Sequence, residues 1–89
     1  MTKMYRITGR VQGVGFRHFT YRTALSLGIT GYVKNMTDGS VEVLAQCQSE
    51  NRLGNFQQQL KNGPSFARVE DISITEIEDD RQYGDFIIE

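Results

Sequence analysis

An 89-residue chain, read as a single domain over residues 1–89, has room for one core. At this size only about 60–65% of the unfolded surface is buried, so the apolar residues are committed to packing. With 10 Lys and Arg against 11 Asp and Glu, and no basic block, the chain lacks the basic face that grips nucleic acid by its phosphates. A single cysteine, Cys47, and a single histidine, His18, exclude an intramolecular disulfide and any Cys- or His-rich metal cage.

The opening run, Met1 to Arg6, has no apolar h-region, and no stretch approaches a membrane span, so a cytoplasmic location is expected. Tyr5-Arg6-Ile7-Thr8 alternates apolar and polar residues, the period of a half-buried strand. A glycine-rich stretch, Gly9 to Gly15, follows. From Phe16 the period becomes helical: Phe16, Phe19, Thr23, Ala24 and Leu27 share one stripe, and Gly28 supplies the stop. The glycine stretch therefore opens directly into a helix.

Gly31 to Asn35 reads as a second strand, and Thr37-Asp38-Gly39-Ser40 as a turn with the Asp-Gly pair that hairpins favour. Val41, Val43, Ala45 and Cys47 alternate with Glu42, Leu44 and Gln46 in a third strand. Ser49 caps a second helix with the stripe Leu53, Phe56 and Leu60, closed by Gly63-Pro64. Val69 to Ile77, carrying Ile72 and Ile74, is a fourth strand, and Phe86-Ile87-Ile88 a short terminal one. The order β-α-β-β-α-β with an extra β predicts an α+β fold of the split β-α-β, ferredoxin-like kind. Its sheet would be antiparallel, with both helices on one face. Many unrelated activities use that fold.

Gly13-Val14-Gly15-Phe16-Arg17 joins the first strand to the first helix. Two glycines let several main-chain N–H groups turn toward one point, and the helix adds its own unpaired N–H groups and dipole. Arg17, in the first helical turn, carries a planar fork of donors that suits a phosphoryl group. Gly13 and Gly15 begin a G-x-G-x-x-G pattern, but His18 breaks it, and no Gly-Lys-Ser/Thr follows. On spacing alone the stretch is either an anion cradle or a structural turn.

Gly9-Arg10-Val11-Gln12-Gly13-Val14-Gly15-Phe16-Arg17 closely resembles the phosphate-binding signature of the acylphosphatase family. Gly31-Tyr32-Val33-Lys34-Asn35, with Asp38-Gly39-Ser40-Val41-Glu42-Val43, resembles that family's second signature. From Gln46 onward the match is one of pattern only. The resemblance implies hydrolysis of the carboxyl-phosphate bond of acyl phosphates, without metal or cofactor. It implies that Arg17 binds the phosphate together with the main chain of Val11, Gln12, Gly13, Val14, Gly15 and Phe16. It also implies that Asn35 orients the attacking water. The expected partners are a small acyl phosphate and inorganic phosphate, as product and inhibitor, with no nucleic acid, no membrane and a monomeric chain.

Other residues have plainer readings. His18 lies about 100° around the helix from Arg17 and reads as a surface residue. Cys47 is in phase with Val43 and Ala45 and reads as a small buried hydrophobe. Glu76, Glu78, Asp79 and Asp80 read as a solvated acidic turn. Phe16 and Phe19 follow helical spacing and belong to the core. Asn35-Met36-Thr37 matches a glycosylation sequon, which has meaning only in a secreted protein. Without the resemblance, Asn35 reads as a strand-end residue. Two other functions suit the same fold. An RNA-binding module would need its aromatic signature on a central strand, and a non-catalytic anion sensor would have no use for Asn35.

Overall fold

A computed structural model of the chain describes residues 1–78 and 81–89. Its elements are β1 (Thr2–Arg10), α1 (Phe16–Leu27), β2 (Thr30–Asn35), β3 (Val41–Gln46), α2 (Glu50–Asn62), β4 (Arg68–Ile77) and β5 (Phe86–Ile88). They form a five-stranded sheet in the order β4-β1-β3-β2-β5. Strands β1 and β2 are separated by β3, so each β-α-β unit is split, as the element order predicts.

The helix-covered face follows the alternation seen in the sequence. Tyr5, Ile7, Val33, Val41, Val43 and Ala45 project from the sheet and are buried. Phe16 and Ala24 of α1 and Leu53, Phe56 and Leu60 of α2 complete the core. Tyr5 meets Phe56 edge-on, with ring centroids 5.9 Å apart, and Phe56 meets Phe86 at 6.4 Å. On α1 the stripe is wider than expected: Thr20 is fully buried, its hydroxyl donating to the Phe16 carbonyl at 2.9 Å, while Phe19 and Leu27 pack at the edge. Ile74 sits opposite Tyr5 in register but stays 40% exposed, because β4 is the sheet's edge.

One expectation is corrected: the sheet is mixed. Strands β1, β2, β3 and β4 pair antiparallel, but β5 runs parallel to β2, with Gly31 beside Phe86 and Val33 beside Ile88. The topology forces this. β4 ends at Ile77 beside Thr2, at the same end of the sheet where β2 begins. The chain then reaches the opposite edge and can only run away from that end, in the direction of β2.

On that route it covers the sheet's other face. The Gln46 amide donates to the Arg81 carbonyl at 2.6 Å and accepts from the Tyr83 N–H at 3.0 Å. The Tyr83 and Tyr32 rings meet at a tilt of 56°, their centroids 6.2 Å apart. Leu44, which falls in the polar phase of β3, is buried there. Cys47 lies just past the end of β3 and is buried, as its phase predicts. Of the acidic group, Glu76 and Glu78 are exposed, while Asp79 and Asp80 lie outside the described residues. No helix among the described residues is long and apolar enough to cross a membrane.

Candidate active site

Between β1 and α1 the chain makes a tight loop anchored from below by Val11, which is buried. Gly13 (φ 73°) and Gly15 (φ 81°) both take left-handed backbone that L side chains rarely adopt. A Cβ at either position would meet open space, so conformation and not crowding requires glycine here. Gly15 also occupies the N-cap of α1, where no side chain caps the helix and no acidic residue sits in the first turn. The first-turn N–H groups and the positive end of the helix dipole are left facing the loop.

A shallow pocket of about 190 Å³ opens there, lined by Val11, Gly13, Gly15, Phe16, Arg17, His18, Asn35 and Ile88. Four elements or loops converge on it: the glycine loop, the start of α1, the end of β2 and the end of β5. Arg17 and Asn35, 18 positions apart in the chain, line the same cavity. The Arg17 guanidinium donates from Nη1 to the main-chain oxygen of Glu89 at 2.8 Å, a contact that the parallel β5 makes possible. Asn35 is the last residue of β2, and its Oδ1 is buried without a hydrogen-bond partner among the described residues. An unpaired buried acceptor costs about 1–3 kcal/mol, which marks Asn35 out among the residues that line the cavity.

Not all of the loop faces the pocket with its side chains. Val14 packs against the core and lines the neighbouring groove beside α1. Gln12 turns toward the β2–β3 hairpin, its Nε2 donating to the carbonyls of Met36 at 2.8 Å and Ser40 at 2.9 Å. The hairpin is also held internally: Asp38 Oδ1 accepts from the Ser40 N–H at 2.9 Å and from the Ser40 hydroxyl at 2.6 Å. Arg6 pairs with Asp38 at 2.5 Å. The Ser40 bonds, with help from Arg6, hold the Asp38 carboxyl well below the usual carboxylate range.

Sequence reasoning missed three contributors: Ile88, the Glu89 main chain and the Gln12 side chain. The first two arrive through the parallel pairing of β5, which has no local signature. The Gln12 acceptors lie 24 and 28 residues downstream, too far for local spacing to announce the bond. His18 is exposed, as expected, yet it stands at the rim of the pocket.

The fold and the cavity together define a class: a split β-α-β sandwich with a glycine loop, an open helix start and a small pocket between its first strand and first helix. The family model Acylphosphatase matches residues 3–88. The acylphosphatase of Pasteurella multocida is 43% identical over 88 residues, covering 99% of this chain and 97% of that protein. That of Caldanaerobacter subterraneus is 48% identical over 85 residues, covering 93% and 91%. The crystal structure of acylphosphatase from Bacillus subtilis superimposes with a TM-score of 0.93 at 42% identity, covering 98% of this chain and 96% of that one. The chain belongs to the acylphosphatase family.

Proposed function

We propose that Arg17 and Asn35 divide the work of hydrolysing an acyl phosphate, one holding the phosphoryl group and the other aiming the water. The chain is an enzyme of the acylphosphatase family, and the activity that follows is release of carboxylate and inorganic phosphate. The observation that carries the division of labour is that Asn35, whose Oδ1 is buried and unpartnered, lines the same cavity as Arg17.

The chemistry needs few groups. The leaving carboxylate is a weak base, so no general acid has to protonate it. Transfer of a phosphoryl group through a loose transition state asks for positioning and charge stabilisation. The Arg17 guanidinium, the first-turn N–H groups and the main chain of Val11, Gln12, Gly13, Val14, Gly15 and Phe16 supply the charge. Asn35 has no proton to take or give at neutral pH, but its Oδ1 accepts a hydrogen bond from water and fixes its direction. The water oxygen attacks phosphorus as the bond to the acyl oxygen breaks. The electron pair leaves with the carboxylate, and the water's proton passes to a phosphoryl oxygen.

Product phosphate fits the same cradle and acts as an inhibitor. We assign the reaction no metal or cofactor. A monomeric protein without nucleic-acid partners suits a small substrate and a net charge of −1. The free thiol of Cys47 suits the reducing cytoplasm.

The test is a parent and Asn35→Ala pair, assayed on an aromatic acyl phosphate with excess chelator present. Losing one preorganised catalytic amide lowers kcat by about 10²–10³. Phosphate affinity, measured by calorimetry, stays within a few-fold, because Asn35 acts on the nucleophile and not on the bound anion. Asn35→Asp is as poor or worse, since a carboxylate repels the substrate. Retained turnover in Asn35→Ala reduces that residue to a strand end and overturns the mechanism.

A further inference from the structure

Gln12 is a member of the glycine loop whose side chain lies outside the pocket lining, and its bonding is specific. Its amide has two N–H donors, and both are directed at carbonyls of one turn, Met36 at 2.8 Å and Ser40 at 2.9 Å. Each of those oxygens already accepts one main-chain bond, Met36 O from the Gly39 N–H at 3.2 Å and Ser40 O from the Met36 N–H at 2.8 Å. A carbonyl oxygen has two lone pairs, so Gln12 fills the remaining place on each. Asparagine is a methylene too short for the same reach, and a carboxylate would turn acceptors toward acceptors.

The two ends of this bridge stand next to the reacting groups. Gln12 lies between Val11 and Gly13, which both line the pocket. Met36 directly follows Asn35, the residue whose Oδ1 is buried and unpartnered. No other side-chain hydrogen bond described in the structure joins the glycine loop to the hairpin. The hairpin does not depend on it for its own shape, because Asp38, Ser40 and Arg6 hold the turn from the other side.

We infer that Gln12 is a positioning residue: its two-donor bridge sets the distance and angle between the phosphate cradle and the Asn35 amide, and so the line along which water reaches phosphorus. The inference rests on the reading of Asn35 as the group that orients water. Misplacement of a catalytic group by about 1 Å costs on the order of 10²-fold, so a brace of this kind acts on kcat. The cradle's own donors are Arg17 and the loop N–H groups, that of Gln12 included, and a substitution at Gln12 leaves all of them in place because only its side chain makes the bridge. Ground-state binding should therefore move little.

The experiment is a double-mutant cycle on the intact chain with Gln12→Met, which keeps the length and loses both donors, and Asn35→Ala. Gln12→Met alone should lower kcat tenfold or more, with KM and the calorimetric affinity for inorganic phosphate within about threefold of the parent. Added to Asn35→Ala, it should cost less than a further twofold, because the amide it positions is already gone. Where Gln12→Met does not fold, judged by circular dichroism, Gln12→Glu, of the parent's shape, takes its place in the same cycle. Equal losses in both backgrounds, or a collapse of phosphate affinity along with kcat, would show a merely structural role and overturn the inference. Full turnover in Gln12→Met beside a crippled Asn35→Ala overturns it alone. Full turnover in Asn35→Ala overturns the reading of the site, and this inference with it.

Discussion

The two ends of the β2–β3 ribbon each carry a side-chain amide beside a concavity, and the two amides are bonded in opposite ways. At the far end, Gln46 borders a depression of about 560 Å³, three times the size of the pocket at the other end. The amide and the guanidinium that border it are both engaged. Gln46 bonds through both its nitrogen and its oxygen, and the Arg52 guanidinium donates to the Leu27 carbonyl at 3.0 Å. At the near end, Asn35 borders only about 190 Å³, yet its Oδ1 is unpaired, two glycines hold left-handed backbone, and a helix start lies open. Volume is a poor guide to function in this molecule. Unsatisfied polar groups converging on a small cavity are a better one. The Tyr5 hydroxyl refines the point, being buried and unpartnered but set in the helix-covered core and lining none of the described pockets. An orphan needs a cavity before it has a use.

The largest effect that would sharpen this contrast belongs to Arg17. Two charge-assisted hydrogen bonds to phosphate contribute about 3–6 kcal/mol together, so Arg17→Ala should lose about 10²–10⁴ in kcat/KM. Arg17→Lys should recover little, because an ammonium does not reproduce the planar fork. Both variants should weaken inhibition by phosphate, and unchanged inhibition in Arg17→Ala would place the anion elsewhere and break the comparison.

Gln46→Leu probes the opposite end. It removes two hydrogen bonds, of which one is exposed, so stability should fall by about 1 kcal/mol in denaturant titration. Turnover should stay within twofold. A Gln46→Leu variant as damaged in kcat as Asn35→Ala would erase the distinction between the two amides.

The smallest effect is expected at Tyr5. Removing a desolvated hydroxyl that has no partner, while keeping the ring, should leave Tyr5→Phe as stable as the parent or more stable by up to about 1 kcal/mol. Burial pushes the Tyr5 phenol from 10.0 up to about 12. The folded chain thus resists ionising this group where the unfolded chain does not. The parent should lose stability as pH rises from 10 toward 12, and Tyr5→Phe should be spared that share of the loss. Thermal melts of the two proteins at pH 9 and pH 11 compare them directly.

Most of the fold was legible because its signals are local. The alternation in Tyr5-Arg6-Ile7-Thr8, the helical stripe from Phe16 and the Ser49 cap, whose hydroxyl accepts from the Arg52 N–H at 3.2 Å, each depend on neighbours within a few residues. Leu44 ran against its phase for the opposite reason: it is buried among residues distant in the chain, with Met4 and Tyr32 beside it in register and Tyr83 in the same hollow. The parallel setting of β5 was invisible in Phe86-Ile87-Ile88, since three apolar residues carry no sense of direction.

The candidate site divides in the same way. Gly13, Gly15 and Arg17 could be proposed from the sequence because a strand, two glycines and a helix start in succession offer either a cradle or a turn through backbone geometry, and the family resemblance favours the cradle. Asn35 could be named only through the family resemblance, since a strand-end asparagine has no local mark of function. Tertiary structure then decided which groups share the cavity: Asn35 from β2, Ile88 and the Glu89 oxygen from β5, and the Gln12 bridge across to Met36 and Ser40. Backbone conformation and amphipathic period are encoded within a turn or two of chain, and so they can be read along it. Partners that are 24 to 72 residues apart are chosen by the closing of the sheet, which brings together side chains that no spacing announces.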